Sequence, residues 1–194
     1  ATVTVKEAAA DQEQFYILVE FAAPEGTVLP EPDQVEEGFN RAVLWGGPDG
    51  RGIGFGAYRD ESCTSFIGSS EAGYAIDYVE DSDPTDNKME FIIRGHIDPM
   101  PKDAAYCLFS GIQSLCMQYQ GEWVTMLDGM DIDLIVPLVG MGTHYDFQGR
   151  CGVNLNGVTL AVAENLTISP ISVSMDLVIP DGAAYDAAFG QDGP

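Results

Sequence analysis

The side chains in this sequence that stand at spacings chemistry can use are mostly acidic. Between Glu80 and Asn87, the residues Asp81, Asp83, Asp86 and Asn87 supply oxygen donors at alternating positions. Hard cations take about six to eight such oxygens, so calcium is the ion this loop is suited to hold. The segment has neither the central glycine nor the twelfth-position glutamate of the helix-flanked calcium loop, and a solvated turn is the competing reading. Asp128, Asp131 and Asp133 form a weaker second cluster, because Asp131 and Asp133 fit the exposed face of one strand.

Four cysteines, Cys63, Cys107, Cys116 and Cys151, form an even set with no CxxC pair. Zinc sites and dithiol redox motifs bring sulfurs in close pairs, so both are disfavoured. In an oxidising compartment the four are disulfide candidates with three possible connectivities. In a reducing one they act as small buried hydrophobes.

Other catalytic patterns are partial. Gly68-Ser69-Ser70-Glu71-Ala72 resembles a nucleophile elbow only loosely, with Ala72 where the last glycine belongs, and a serine nucleophile needs a base beside it. The chain offers only His96 and His144, each a lone histidine that reads as structural. Gly52, Gly54 and Ala57 match the spacing of a dinucleotide fingerprint, but Arg59-Asp60-Glu61-Ser62 follows without helical periodicity, so a glycine-lined strand is the better reading. No carboxylate spacing singles out a glycosidase pair. Asn165-Leu166-Thr167 is a glycan acceptor sequon, relevant to a secreted eukaryotic chain. Trp45 and Trp123 are candidates for stacking on sugar rings.

The charge narrows the classes further. Thirty-one acidic residues against eight basic ones leave a formal net charge of −23. Such a surface repels phosphate backbones and anionic membranes, which argues against nucleic-acid partners. The apolar runs, such as Leu134 to Met141, fall far short of the roughly 20 residues of a membrane-spanning helix, so membrane insertion is not expected. Lys6, Lys88 and Lys102 are the only lysines.

The elements that must position these residues are strands. Val158, Leu160 and Val162 alternate with smaller or polar residues after a turn at Asn156-Gly157, and Ile171, Val173, Met175, Leu177 and Ile179 alternate likewise. Period-2 patterning places one apolar face on a core and the other nearer water. Phe15 to Phe21 and Lys88 to Ile97 read as strands, whereas Pro24, Pro30 and Pro32 punctuate a long acidic loop. Pro137 interrupts another strand and marks an edge or bulge. Asp103 to Tyr119 is ambiguous. Leu108, Ile112, Leu115, Cys116 and Tyr119 recur at helical spacing after a capping Asp103, and the length of the stretch favours a helix. A hairpin about Ser110-Gly111-Ile112-Gln113 accommodates the same residues and sets Cys107 opposite Cys116.

The pattern predicts a mainly β chain, an antiparallel β-sandwich or barrel-like domain with Greek-key or meander connections and at most one or two short helices. Residues 1–13 are expected to form an N-terminal arm or edge strand, with Thr2, Val3, Thr4 and Val5 as an assembly arm. Residues 14–181 are expected to form a single β-rich domain, and 182–194 a flexible acidic tail with one helical turn. With no catalytic set apparent, the function expected is that of a non-enzymatic structural subunit of an extracellular or virion assembly, of capsid, decoration or tail type. It would need no cofactor, calcium being the candidate ion, and its partners would be copies of itself or other subunits. A pilus-like filament subunit and a calcium-dependent carbohydrate-binding module are the alternatives.

Overall fold

The computed structural model describes residues 1–11, 14–36, 39–46, 52–67, 71–80, 83–98, 105–138, 145–155, 157–169 and 171–189. The chain divides into two compact units, Ala1–Met141 and Gly142–Pro194. The expected mainly β, antiparallel architecture is present in both. No helix among the described residues is long and apolar enough to cross a membrane.

In chain order the first unit runs β1 (Thr2–Ala10), β2 (Gln14–Ala22), β3 (Ala42–Trp45), β4 (Gly54–Tyr58) and β5 (Phe66–Ile67). It continues through β6 (Glu71–Val79), β7 (Lys88–Asp98), β8 (Tyr106–Ile112), β9 (Ser114–Tyr119), β10 (Glu122–Leu127) and β11 (Ile132–Pro137). One layer is the sheet β1-β2-β7-β6. Its alternation is strict: Phe15, Ile17, Val19 and Phe21 of β2 are buried, as are Met89, Phe91, Ile93 and Ile97 of β7. Thr2–Val5 pairs with Val19–Ala22 of its own chain, so the N-terminal segment is the outer strand of this sheet.

The second layer is built from two shorter sheets, β10-β9-β3 and β11-β8-β4-β5. These share strand runs end to end, since β8 leads into β9 across Gln113 and β10 into β11 across residues 128–131. They therefore form one bent surface. At the bend Gly111 and Gly129 take φ of +72° and +69°, a region that a side chain with a Cβ enters only with strain. The Asp133 carboxylate accepts the Gly111 N–H at 2.9 Å and fixes the corner. Beyond the bend, β1 lies alongside β11 and β6 alongside β3, which gives the unit its barrel-like closure. Pro137 ends β11, an outer strand of its sheet, as a residue without an N–H requires.

The helix favoured over 103–119 does not form over the described part, 105–119, and its expected cap Asp103 lies outside the described residues. Residues 106–119 are β8 and β9, in different sheets, and they do not pair with each other as a hairpin either. The physical reason is the bend. Cys107 and Phe109 face inward, Ile112 follows the phase break, and Leu115 and Met117 resume the inward face of the next strand. A break in a period-2 pattern thus sets Phe109, Ile112 and Leu115 three apart, mimicking a helical stripe. Cys107 lies opposite Ala57 and Val136, and Cys116 opposite Val43 and Thr125.

Aromatic rings join the two layers. Phe15 stacks on Phe55 at 5.6 Å between centroids, and Phe109 lies 5.1 Å from Phe55, 5.5 Å from Tyr74 and 6.0 Å from Phe15. The Tyr74 hydroxyl donates to the Ile53 carbonyl at 2.6 Å, so the polar end of the cluster is satisfied. Gly95 makes room for it, because a Cβ there would strike the Phe15 ring and the Gly73 carbonyl.

The second unit is a three-stranded sheet of β12 (Tyr145–Leu155), β13 (Val158–Ile168) and β14 (Val173–Val178), followed by α1 (Gly182–Phe189), which lies against β13. The Asp181 carboxylate accepts the Ala184 N–H at 3.1 Å and caps the helix, which runs to Phe189. Residues 190–194 lie outside the described residues.

Phe109→Ala is expected to lower stability by about 3–5 kcal/mol, because a fully buried ring at the junction of two layers leaves a cavity when removed. Tyr16→Ala, on the solvent side of β2, is expected to change it by no more than about 0.5 kcal/mol. Urea unfolding of the two variants checks both.

Candidate functional site

The predicted calcium loop is built from turn bonds. Asp83 accepts the Thr85 hydroxyl at 2.6 Å, and Asp86 accepts the Lys88 N–H at 2.7 Å. The Asp86 and Asn87 carbonyls receive the N–H groups of Leu29 and Ala23, and the Asn87 side-chain amide donates to the Ala23 carbonyl at 2.5 Å. The loop thus fastens the start of the acidic Pro-rich segment to the sheet. Asp81 lies outside the described residues. Among the described residues no three His, Cys, Asp or Glu side chains are grouped to hold an ion. Nearby, Lys6 and Lys88 converge on Glu20 at 3.2 and 3.0 Å and hold its carboxyl below the usual carboxylate range.

All four cysteines are free thiols. Cys107 is buried in the core, and burial pushes its thiol up to about 12. Cys63 sits in the β4–β5 loop with φ of +52°, and Cys151 is exposed on β12. That loop is organised by Asp60, whose carboxylate accepts the Ser62 hydroxyl, the Thr64 N–H and hydroxyl at 3.1 Å each, and the Ser65 N–H at 2.8 Å. These bonds favour the charged form and lower its pKa from 3.8 to about 2. The sequon asparagine, Asn165, is exposed in a bulge of β13 with φ of +50°, and its amide donates to Asp176 at 2.7 Å. His96 lies on β7, whereas His144 and Gly68-Ser69-Ser70 fall outside the described residues.

Two surfaces emerge that single residues do not announce. The first is a groove between residues 34–36 and 39–40 of the loop after β2 and the strand β10. Gln118 of β9 accepts the Asp33 N–H on its carbonyl and donates its own N–H to the Arg41 carbonyl, both at 2.8 Å. One residue therefore pins both ends of the loop. The neck is latched again where Arg41 bridges Glu31 at 3.1 Å and lies over the Tyr78 ring at 5.0 Å, while the Tyr78 hydroxyl donates to Glu31 at 2.6 Å. The Asp33 side chain also accepts the Gly121 N–H at 2.7 Å, holding the Gln120-Gly121 turn between β9 and β10.

Because the Gln118 backbone points toward the loop, its pairing with Trp123 on β10 is of the non-hydrogen-bonded kind, which brings the two side chains close on one face. Phe39 stands on the loop side of the same groove. Its volume is about 480 Å3, and Gln34, Glu36, Asn40 and Gln118 join the two aromatic residues in lining it. Phe39 is 71% exposed and Trp123 52%. Trp123 is legible in the sequence as a stacking candidate. Phe39 is not, because an aromatic residue in a proline-punctuated acidic loop carries no periodicity.

The second surface is one face of the β12-β13-β14 sheet. The register aligns Tyr145 with Ile168 and Val173, Phe147 with Leu166, Cys151 with Ala163 and Leu177, and Val153 with Ala161. Met175 shares that face by alternation within β14. None of these rows carries a charge. The sequence pattern implies that this alternating face packs on a core, yet Val173, Met175 and Leu177 are 51–61% exposed and Tyr145 and Phe147 more than half exposed.

The Asp60 carboxylate, with its folded pKa lowered, is expected to contribute stability that is present above about pH 4 and lost as the pH falls toward 2. Asp60→Asn is expected to flatten that part of the acid-unfolding profile. Alkylation followed by mass spectrometry is expected to leave Cys107 unmodified in the native protein at pH 8 and to modify it on unfolding.

No protein-family model, no curated protein and no solved structure matches this chain.

Proposed function

We propose that the protein is a non-enzymatic structural subunit of an extracellular or virion assembly, and that it associates with copies of itself through the apolar face of its second unit. The observation that supports this reading is the uncovered, uncharged face formed by Tyr145, Phe147, Val153, Val173, Met175 and Leu177. Contiguous apolar surface of this extent on a folded chain marks a place of contact. Six large side chains, each about half exposed, present on the order of 600 Å2, so two such faces together bury roughly 1,200 Å2, the lower end of a specific interface.

A second copy suits the face because every charged partner is disfavoured by the uncharged rows, and the face is complementary to itself in chemistry. Among the described residues the outer strands β12 and β14 each have one edge unpaired, which offers a second mode of growth by strand addition. A net charge of −23 opposes approach at long range. Salt shortens that repulsion to a Debye length of about 8 Å at physiological ionic strength, so association is expected to strengthen as salt rises.

Light scattering over a range of protein and salt concentrations tests the proposal. The expected result is a defined multimer at physiological salt, with Cys151 alkylated more slowly as the mass rises. Met175→Asp and Leu177→Asp are each expected to return the protein to monomer mass with an unchanged circular dichroism spectrum. A monomer under every condition, or a multimer indifferent to both substitutions, would overturn it.

A further inference from the structure

The groove between the 34–40 loop and β10 is independent of the apolar sheet face, being wholly within the first unit. Two large aromatic side chains stand in it more than half exposed, yet they make no ring contact with each other or with another aromatic residue among the described ones. Around them, the side chains of Gln34, Glu36, Asn40 and Gln118 make no hydrogen bond to the protein among the described residues. The loop that carries four of these six groups is nevertheless tied down at its neck by two backbone bonds, an ion pair and a cation–π contact.

We infer that this groove is a binding site for a neutral saccharide, with Trp123 and Phe39 as the stacking platforms and the amides of Gln34, Asn40 and Gln118 as the hydrogen-bonding rim. A pyranose ring presents a patch of C–H groups on its face and hydroxyls around its edge. Each hydroxyl both donates and accepts, and a carboxamide does the same through its NH2 and carbonyl oxygen. Aromatic faces cover the C–H patch without demanding a polar partner. Three amides and one carboxylate, with two aromatic rings and Val35 as the apolar part, match that division of surface.

Charge selects among sugars. Among the described residues no lysine or arginine lines the groove, Glu36 does, and the chain as a whole is strongly negative. Phosphorylated, sulfated and uronic-acid ligands are repelled, which leaves neutral hexoses and N-acetylhexosamines. The volume of about 480 Å3 lies within the roughly 300–1,000 Å3 of small-molecule sites. The pinned neck lowers the ordering cost of binding, because the strand side of the site is fixed before a ligand arrives.

Trp45 and Trp123 are the two tryptophans, which makes fluorescence a direct readout. Trp45→Phe removes the signal that does not come from the groove, and Trp123 emission is then followed during titration with short neutral hexose and N-acetylhexosamine oligosaccharides. The expected result is a saturable change with at least one of them. Trp123→Ala and Phe39→Ala, followed by calorimetry in the otherwise native chain, are expected to weaken binding at least about tenfold, as loss of a stacking anchor does. Both are surface substitutions and are expected to keep the urea midpoint, while Trp45→Ala keeps the affinity. Three results would overturn the inference: no oligosaccharide binding at millimolar concentration, binding unchanged by both aromatic substitutions, or capture of a lysine-rich peptide by the groove in place of every neutral sugar.

Discussion

The first unit depends on one contact between layers. Phe15 and Tyr74 come from the β1-β2-β7-β6 sheet, Phe55 and Phe109 from the facing layer, and their rings meet in a single cluster. Each strand supplies its ring by simple alternation, and Phe55 and Phe109 face each other as directly paired residues of β4 and β8. The second layer then bends at Gly111 and Gly129. That bend lets one continuous run of chain serve two sheets, so that β8 supplies Phe109 to the core while β9 carries Gln118 to the far surface. Core and groove are thus two ends of the same strand run, related through a corner that only a few dihedral angles define.

Much of this was legible in the sequence, for identifiable reasons. The alternation of Phe15 to Phe21 and of Met89 to Ile97 fixes both the strand type and the buried face, since no other periodic structure places those residues on one side. Pro137 announces an edge because it cannot donate to a ladder. Asp103 to Tyr119 misled for an equally physical reason. A bend between two strands shifts the phase of burial by one residue, and the resulting spacing of three belongs to helices as well. The second unit misled differently. Its alternation correctly signalled strands, but alternation reports only that one face is apolar and cannot name what covers it.

Sites proved harder to read than elements. The acidic loop at 83–87 draws the eye because carboxylates cluster there, and in the folded chain its oxygens close turns and tether residues 23 and 29. The groove escapes notice because its members, Gln34, Asn40, Phe39, Gln118 and Trp123, are ordinary residues spread over ninety positions of the sequence. What unites them is the backbone of Gln118, paired across the strand with Trp123 and bonded sideways to both ends of a loop. No local pattern encodes a coincidence of that kind.

That double attachment has a consequence for how the protein can change over evolutionary time. A segment whose two ends are clamped to one residue is already closed, so its length has little further bearing on the sheet beneath it. Doubling a closed loop costs only about 0.6 kcal/mol of chain entropy, and neither backbone bond at the neck involves a side chain. Residues 34–40 can therefore be lengthened, shortened or rewritten while the sandwich stays intact. The fold carries there an insertable cassette, in which new recognition can be tried without risking the core.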